Sequence, residues 1–223
     1  MHRRLNILIP RVIRQRSIHE KISTKPFAVI SNNCWGAHIY QSAGLPYTTP
    51  FIGLWLSPTA YLHLLANWAR LIHTPLRFTA VSGEQHIESI RQSLQNPWPV
   101  GILGGEVEIQ FLHYATQSEA LDKWTRRLQR MPTNIGRLFF KFDDREGCTH
   151  KQMEIFTNLP FPNKVLFVAN QQLTSIPGTV YIPANDDVVP DGLTLSRITP
   201  KYFDAAAWIG GRPQPSSKIL SFI

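Results

Sequence analysis

Two short polar turns carry most of the residues in this 223-residue chain that could do chemistry. The first, Ser31-Asn32-Asn33-Cys34-Trp35-Gly36, follows the apolar run Phe27 to Ile30; the second, Asp143-Asp144-Arg145-Glu146-Gly147-Cys148, follows Ile135 to Phe142 (IGRLFFKF). Cys34 could act as a nucleophile if a base drew off its proton, because a free thiol is mostly protonated at neutral pH. His38 would share a face with it if helical geometry begins near Cys34, and His113, at the end of a later apolar run, is the other candidate base. Asp143 and Asp144 form the best acidic pair. Adjacent carboxylates could hold a divalent metal that bridges phosphates, or Asp144 could accept a proton while its neighbour binds the cation. Arg145 beside them could clamp a phosphate or carboxylate in a bidentate way. Each feature also has a structural reading: Asp caps helices, Arg pairs with Asp, and a Cys at a strand end is commonly a small buried hydrophobe. No Cys-x-x-Cys or His-x-x-x-His spacing supports zinc, and there is no Walker loop, G-x-G-x-x-G or G-x-S-x-G.

These turns need strands and helices to hold them. The polar, small-residue turn after Phe27–Ile30 leads into a short helix over His38 to Ala43 that ends at Gly44. In an open α/β sheet, ligands bind beyond the carboxyl ends of strands, which is where both turns fall. Ser57-Pro58 is a good helix start, and Tyr61, Leu64, Leu65, Trp68, Leu71 and Ile72 predict an apolar stripe as far as His73. Leu76 to Val81 reads as a strand and Gly83 to Gln95 as an exposed helical segment. The runs flanking Gly104-Gly105 predict a hairpin and therefore a mixed sheet, with Glu106 and Glu108 on its solvated edge. Ser118 opens a second helix, with Ala120, Leu121, Trp124, Leu128 and Met131 inward and Lys123, Arg126, Arg127 and Arg130 outward. A helix over Thr149 to Asn158, strands over 164–169 and 179–182, and a last helix over Lys201 to Trp208 complete the pattern. Asp186-Asp187 and Asp191-Gly192 read as turn residues of a Pro-bounded loop. Alternating strands and helices imply an α/β fold of three layers, α/β/α, around a mixed, Rossmann-like sheet.

The bulk properties narrow the partners. A hydrophobic content of 43% describes a globular chain, and two cysteines are too few for a disulfide scaffold, which fits a reducing cytoplasm. Residues 1–25 hold Arg3, Arg4, Arg11, Arg14, Arg16, Lys21 and Lys25 against Glu20 alone, most of the net charge of +8. A basic arm on a nearly neutral body argues against a nucleic-acid groove and favours an arm that could touch an anionic membrane surface. It lacks the uninterrupted apolar stretch of a secretory signal. The expected organisation is an arm over 1–25, one α/β domain over 26–211 and a loosely held tail over 212–223.

Several stretches together carry a resemblance: SNNCWGAHIYQSAGLPYTTPFIGLWL, WPVGIL, EIQFLHY with its following helix, and KFDDREGCT before KVLFVA. They resemble the bacterial family of exopolysaccharide-biosynthesis proteins, a domain of unknown function found with capsule and surface-glycan genes. The resemblance covers roughly residues 26–195. The family's motif falls on Asn32, Asn33, Cys34, Trp35, Gly36, Tyr40, Gly44, Pro46, Tyr47 and Pro50, on His113, and on Asp144, Arg145, Gly147 and Cys148; the sequence departs from it at Ala37. What it implies is an α/β/α layered fold with Rossmann-like features and a role in making extracellular polysaccharide, without fixing the reaction; residues 1–25 lie outside it. The leading expectation is a cytoplasmic transferase, able to lie against the inner membrane through its arm, that acts on a sugar or nucleotide-sugar intermediate. Asn32 and Asn33 would bond hydroxyls, Trp35, Tyr40 or Tyr47 would meet the sugar, Asp144 would be base or metal ligand, and Arg145 would hold a phosphate. Two alternatives stay open: a Cys34-dependent acyltransferase or hydrolase with His38 or His113 as base, and a non-catalytic glycan-binding or assembly partner.

Overall fold

The computed structural model describes Ile22 and residues 25–211. The arm over 1–25, apart from Ile22 and Lys25, and the tail over 212–223 lie outside the described residues.

Four parallel strands form the centre: β1 (Ala28–Ser31), β5 (Leu138–Asp143), β6 (Lys164–Val168) and β7 (Thr179–Tyr181), side by side in that order. The hairpin strands β3 (Val100–Leu103) and β4 (Val107–Gln110) pair with β2 (Leu76–Thr79) in a separate antiparallel sheet. The α/β class therefore stands, while the expected mixture of strand directions is divided between two sheets. An antiparallel bridge, Trp55 to Gln110, links the second sheet to the segment that follows β1.

Period-two alternation explains the layering. On one face of the parallel sheet, Ala28, Ile30, Phe140, Phe142 and Leu166 pack with α2 (Pro58–Ala66), α3 (Trp68–Leu71), α5 (Gln117–Arg130), α6 (His150–Asn158) and the second sheet. On the other, Val29, Phe139, Val165 and Phe167 pack with α1 (Trp35–Ala43), α7 (Gly192–Ile198) and α8 (Ala205–Ile209). Sheets buried on both faces read as near-continuous apolar runs, as β5 and β6 do.

Local signals set the ends of several elements. Ser57 accepts the Ala60 amide at 3.3 Å and starts α2, although Asn67 divides the expected long helix into α2 and α3. Thr149 and Gln152 form a reciprocal capping box on α6, so neither Asp143 nor Asp144 caps it. Gly44, at φ 66°, closes α1 in the left-handed conformation that suits glycine. The segment around α4 (Gln85–Gln92) is held by Glu108, which accepts the Gly83 amide at 2.8 Å and the Ser82 hydroxyl, instead of lying on a solvated edge. Glu106 sits in the hairpin turn against Arg70 and His63. No helix among the described residues is long and apolar enough to cross a membrane.

Gly101, in the middle strand of the second sheet, makes the hairpin's packing testable. A Cβ there would lie 2.7 Å from the Phe111 ring and 2.8 Å from Leu76 Cδ1. Gly101→Ala should therefore cost about 1–3 kcal/mol through overpacking, read as a lower urea midpoint at unchanged slope.

Candidate functional site

β1 and β5 are parallel neighbours, with Ser31 opposite Lys141, so the chain leaves both strands at the same edge of the sheet. This register brings two turns more than a hundred residues apart into contact. Lys141 and Asp143, two apart on β5, share the face that carries Phe139, and both are fully buried. Asn32 donates to Asp143 Oδ1 at 3.2 Å and Asn33 to Asp143 Oδ2 at 2.7 Å. The Lys141 ammonium bonds the same carboxylate and also reaches Asn32 Oδ1 at 3.3 Å and Asn33 Oδ1 at 3.1 Å. Asn33 Oδ1 further accepts the Trp35 amide at 3.2 Å, which fixes the start of α1. Burial alone would push the Asp143 carboxyl up, but Lys141 and the two amides together hold it below its ordinary range. Complete burial draws Lys141 below its usual value against the pull of Asp143.

Above this network opens a cavity of about 650 Å³. Its walls include Asn33, Cys34, His38 and Gln41 from the first junction, Tyr47, Gly53 and Trp55 from the segment after it, and His113 and Tyr114 beyond β4. Lys123 and Arg127 of α5, Arg145 and Glu146 of the second junction, and Asp191 to Leu193 complete it. The start of α7 sits directly on the Asn33–Cys34 turn: a Cβ on Gly192 would lie 2.9 Å from Asn33 Oδ1 and 3.1 Å from the Cys34 amide nitrogen. Asp191, which the sequence places in a turn, caps α7 by accepting the Leu193 and Thr194 amides at 3.0 and 3.1 Å. Arg145 is fixed by the Val189 carbonyl at 2.8 Å and lies 3.4 Å from Glu146.

The structure thus gathers Asn33, Cys34, His38, Tyr47, His113 and Arg145 at one cavity and assigns other places to the remaining candidates. Trp35 is buried in the core, with its indole N–H on Thr199 Oγ1 at 3.0 Å and its ring edge-on to Phe167, so it offers no exposed face for stacking. Tyr40 is also core: it stacks on Phe27, accepts the Val29 amide at 3.0 Å, and burial pushes its hydroxyl up to about 12. Asn32 lies beneath the cavity in the ionic network. Asp144 accepts the Ala169 and Val189 amides at 2.7 and 2.8 Å, one on each oxygen, and thereby ties the second junction to the end of β6. The expected acidic metal pair is corrected accordingly, since Asp143 and Asp144 face separate partner sets. Among the described residues no group of three or more His, Cys, Asp or Glu side chains is arranged to hold a metal ion.

Lys123 and Arg127 are what the helical stripe misplaced. Arg127 is only 9% exposed, and its guanidinium bonds the Tyr114 hydroxyl and lies 4.9 Å from the centre of the Tyr47 ring. Their i, i+4 spacing put both on one face of α5, but nothing in the sequence distinguished solvent from a polar cavity on that side.

Three measurements follow from this electrostatics. Lys141→Met leaves the Asp143 charge buried without its cation and should cost about 3–5 kcal/mol in urea unfolding, with Lys141→Met/Asp143→Asn recovering part of the loss. The depressed Asp143 carboxyl contributes stability that is complete above its unfolded value of about 3.8 and is lost as pH falls through the lower folded value. Acid unfolding of the wild type should therefore steepen below about pH 4. For Cys34, burial comes first and Asp191 adds to it, so the thiol sits above its ordinary 9.0 despite the opposing pull of Lys141. Iodoacetamide should label Cys34 more slowly than free cysteine at pH 7, with the rate climbing above pH 9; labelling already maximal at pH 7 would show an activated thiolate.

A relative in Haemophilus influenzae, described as an uncharacterized protein, is 36% identical over 152 residues, a match spanning 68% of this chain and 66% of that protein's length. A family model, described as a domain of unknown function (DUF1919), matches residues 7–210. The match spans both strand–turn junctions and the cavity between them, and the chain belongs to the DUF1919 family.

Proposed function

We propose that this protein is a transferase of surface-glycan synthesis that acts on a sugar or nucleotide-sugar intermediate held in the 650 Å³ cavity. The glycan context comes from the resemblance of the SNNCWG and KFDDREGCT stretches. The observation that carries the reading is the convergence of the two junctions on one cavity, with an amide (Asn33), rings (Tyr47, Trp55), imidazoles (His38, His113) and cations on its walls. An acceptor hydroxyl oxygen attacks the anomeric carbon, its proton passes to His38 or His113, and the bond to the phosphate oxygen breaks with the electron pair leaving on the phosphate. Arg145 faces the charge that develops on that leaving group. The basic arm would hold the protein against an anionic membrane where the acceptor is assembled.

A second reading rests on Cys34, whose thiol shares the wall with both imidazoles. There the thiolate attacks an acyl carbonyl carbon, the donor's leaving group departs with its electron pair, and an acceptor hydroxyl then takes the acyl group and restores the thiol. Glycan output from cells carrying Cys34→Ala, His38→Ala or His113→Ala separates these. Sugar transfer predicts a loss of about 100-fold or more in one histidine variant with Cys34→Ala near wild type, while acyl transfer predicts loss in Cys34→Ala. Wild-type output from all three, with melting temperatures unchanged, would leave only a non-catalytic glycan-binding partner.

A further inference from the structure

Arg127 has no carboxylate partner among the described residues, although it is only 9% exposed. Among the described residues its one hydrogen bond goes to the Tyr114 hydroxyl, which itself donates to the Ile52 carbonyl, and the Tyr47 and Tyr114 rings lie 4.9 and 6.0 Å from the guanidinium. The other two cations of the cavity are matched: Lys123 pairs with Glu119, and Arg145 lies against Glu146 and the Val189 carbonyl. Of the cavity's two acids, Glu146 faces Arg145 and Asp191 is engaged in capping α7. A nearly buried charge without a counter-ion is expensive, and a guanidinium has five donors, most of them here without an acceptor among the described residues. The rings fix the plane of the fork but supply no negative charge.

We infer that Arg127 anchors a phosphate-binding subsite, with Lys123 one helical turn before it as the second cation, and that the substrate of this cavity is a phosphate ester or diphosphate. The inference rests on the transferase reading for the identity of the larger molecule, but not for the anion. The fork of Arg matches phosphate oxygens, and Lys123, whose charge is shared with Glu119, adds a second donor one helical turn away.

The test is thermal shift and calorimetry of the full chain with sodium pyrophosphate, inorganic phosphate and acetate at constant ionic strength. Pyrophosphate should raise the wild-type melting temperature. Arg127→Met keeps the packing between the two tyrosines and should bind pyrophosphate at least tenfold more weakly while melting, without ligand, at or above the wild type. Arg127→Gln serves as the second variant if the first does not fold. A wild type indifferent to pyrophosphate and phosphate, equal binding by the Arg127 variants, or acetate as effective as pyrophosphate would each overturn the inference. Pyrophosphate binding through Arg127 with full glycan output from the histidine variants would keep the subsite and remove sugar transfer. A nucleotide-sugar bound equally by Arg127→Met and wild type, with output lost in a histidine variant, would do the reverse.

Discussion

The molecule is organised around an ion pair placed where water cannot reach it. Lys141 and Asp143 stand on the interior of β5, and neither could be buried alone at tolerable cost. What makes the pair tenable is that Asn32 and Asn33 offer both a donor and an acceptor each, so the carboxylate and the ammonium are bonded by the same two amides. Those amides belong to the turn after β1, and the turn can reach β5 only because the strands are parallel neighbours in register. The pair thereby fixes the position of the residues that open onto the cavity. Asn33 has a double duty, gripping the ions below and presenting its edge to the cavity above.

Around that centre the cavity combines groups of different electrostatic character. Its cations stand on α5 and on the second junction, while its thiol is pushed toward the neutral form by burial and by Asp191. The imidazoles occupy separate elements, His38 on α1 and His113 just beyond β4. Such a surface is suited to an anionic, hydroxyl-bearing molecule, because amides, rings and guanidinium groups each recognise a different part of one.

Much of this was legible in the sequence, and what was not has specific physical causes. An apolar run that empties into a small polar turn marks a strand end, so both junctions could be located from Phe27–Gly36 and Ile135–Cys148 alone. Parallel pairing of those two strands could not be read, because it depends on register across more than a hundred residues. Lys141 drew no reading within IGRLFFKF, although alternation with Asp143 on a strand buried on both faces was the available signal. Trp35 and Tyr40 were offered as ligand contacts since their ring chemistry allows it; their spacing on α1 places them toward the sheet instead. On α5 the opposite error arose, because a cationic flank reads as solvated whether it meets bulk water or a polar hollow. Asp191-Gly192 was read as a turn, yet Asp before a short amphipathic segment is also a helix start, and that is how it serves.

Gly192 shows how the cavity and the ions communicate through a single missing atom. This partly buried position rests on Asn33, whose amide is bonded to both buried charges. Any larger side chain there would have to displace that amide and thereby disturb charges it never touches. Mutational tolerance at this partly solvated site should resemble that of the deep interior, because the amide a side chain would push aside holds the buried pair as well as facing the cavity.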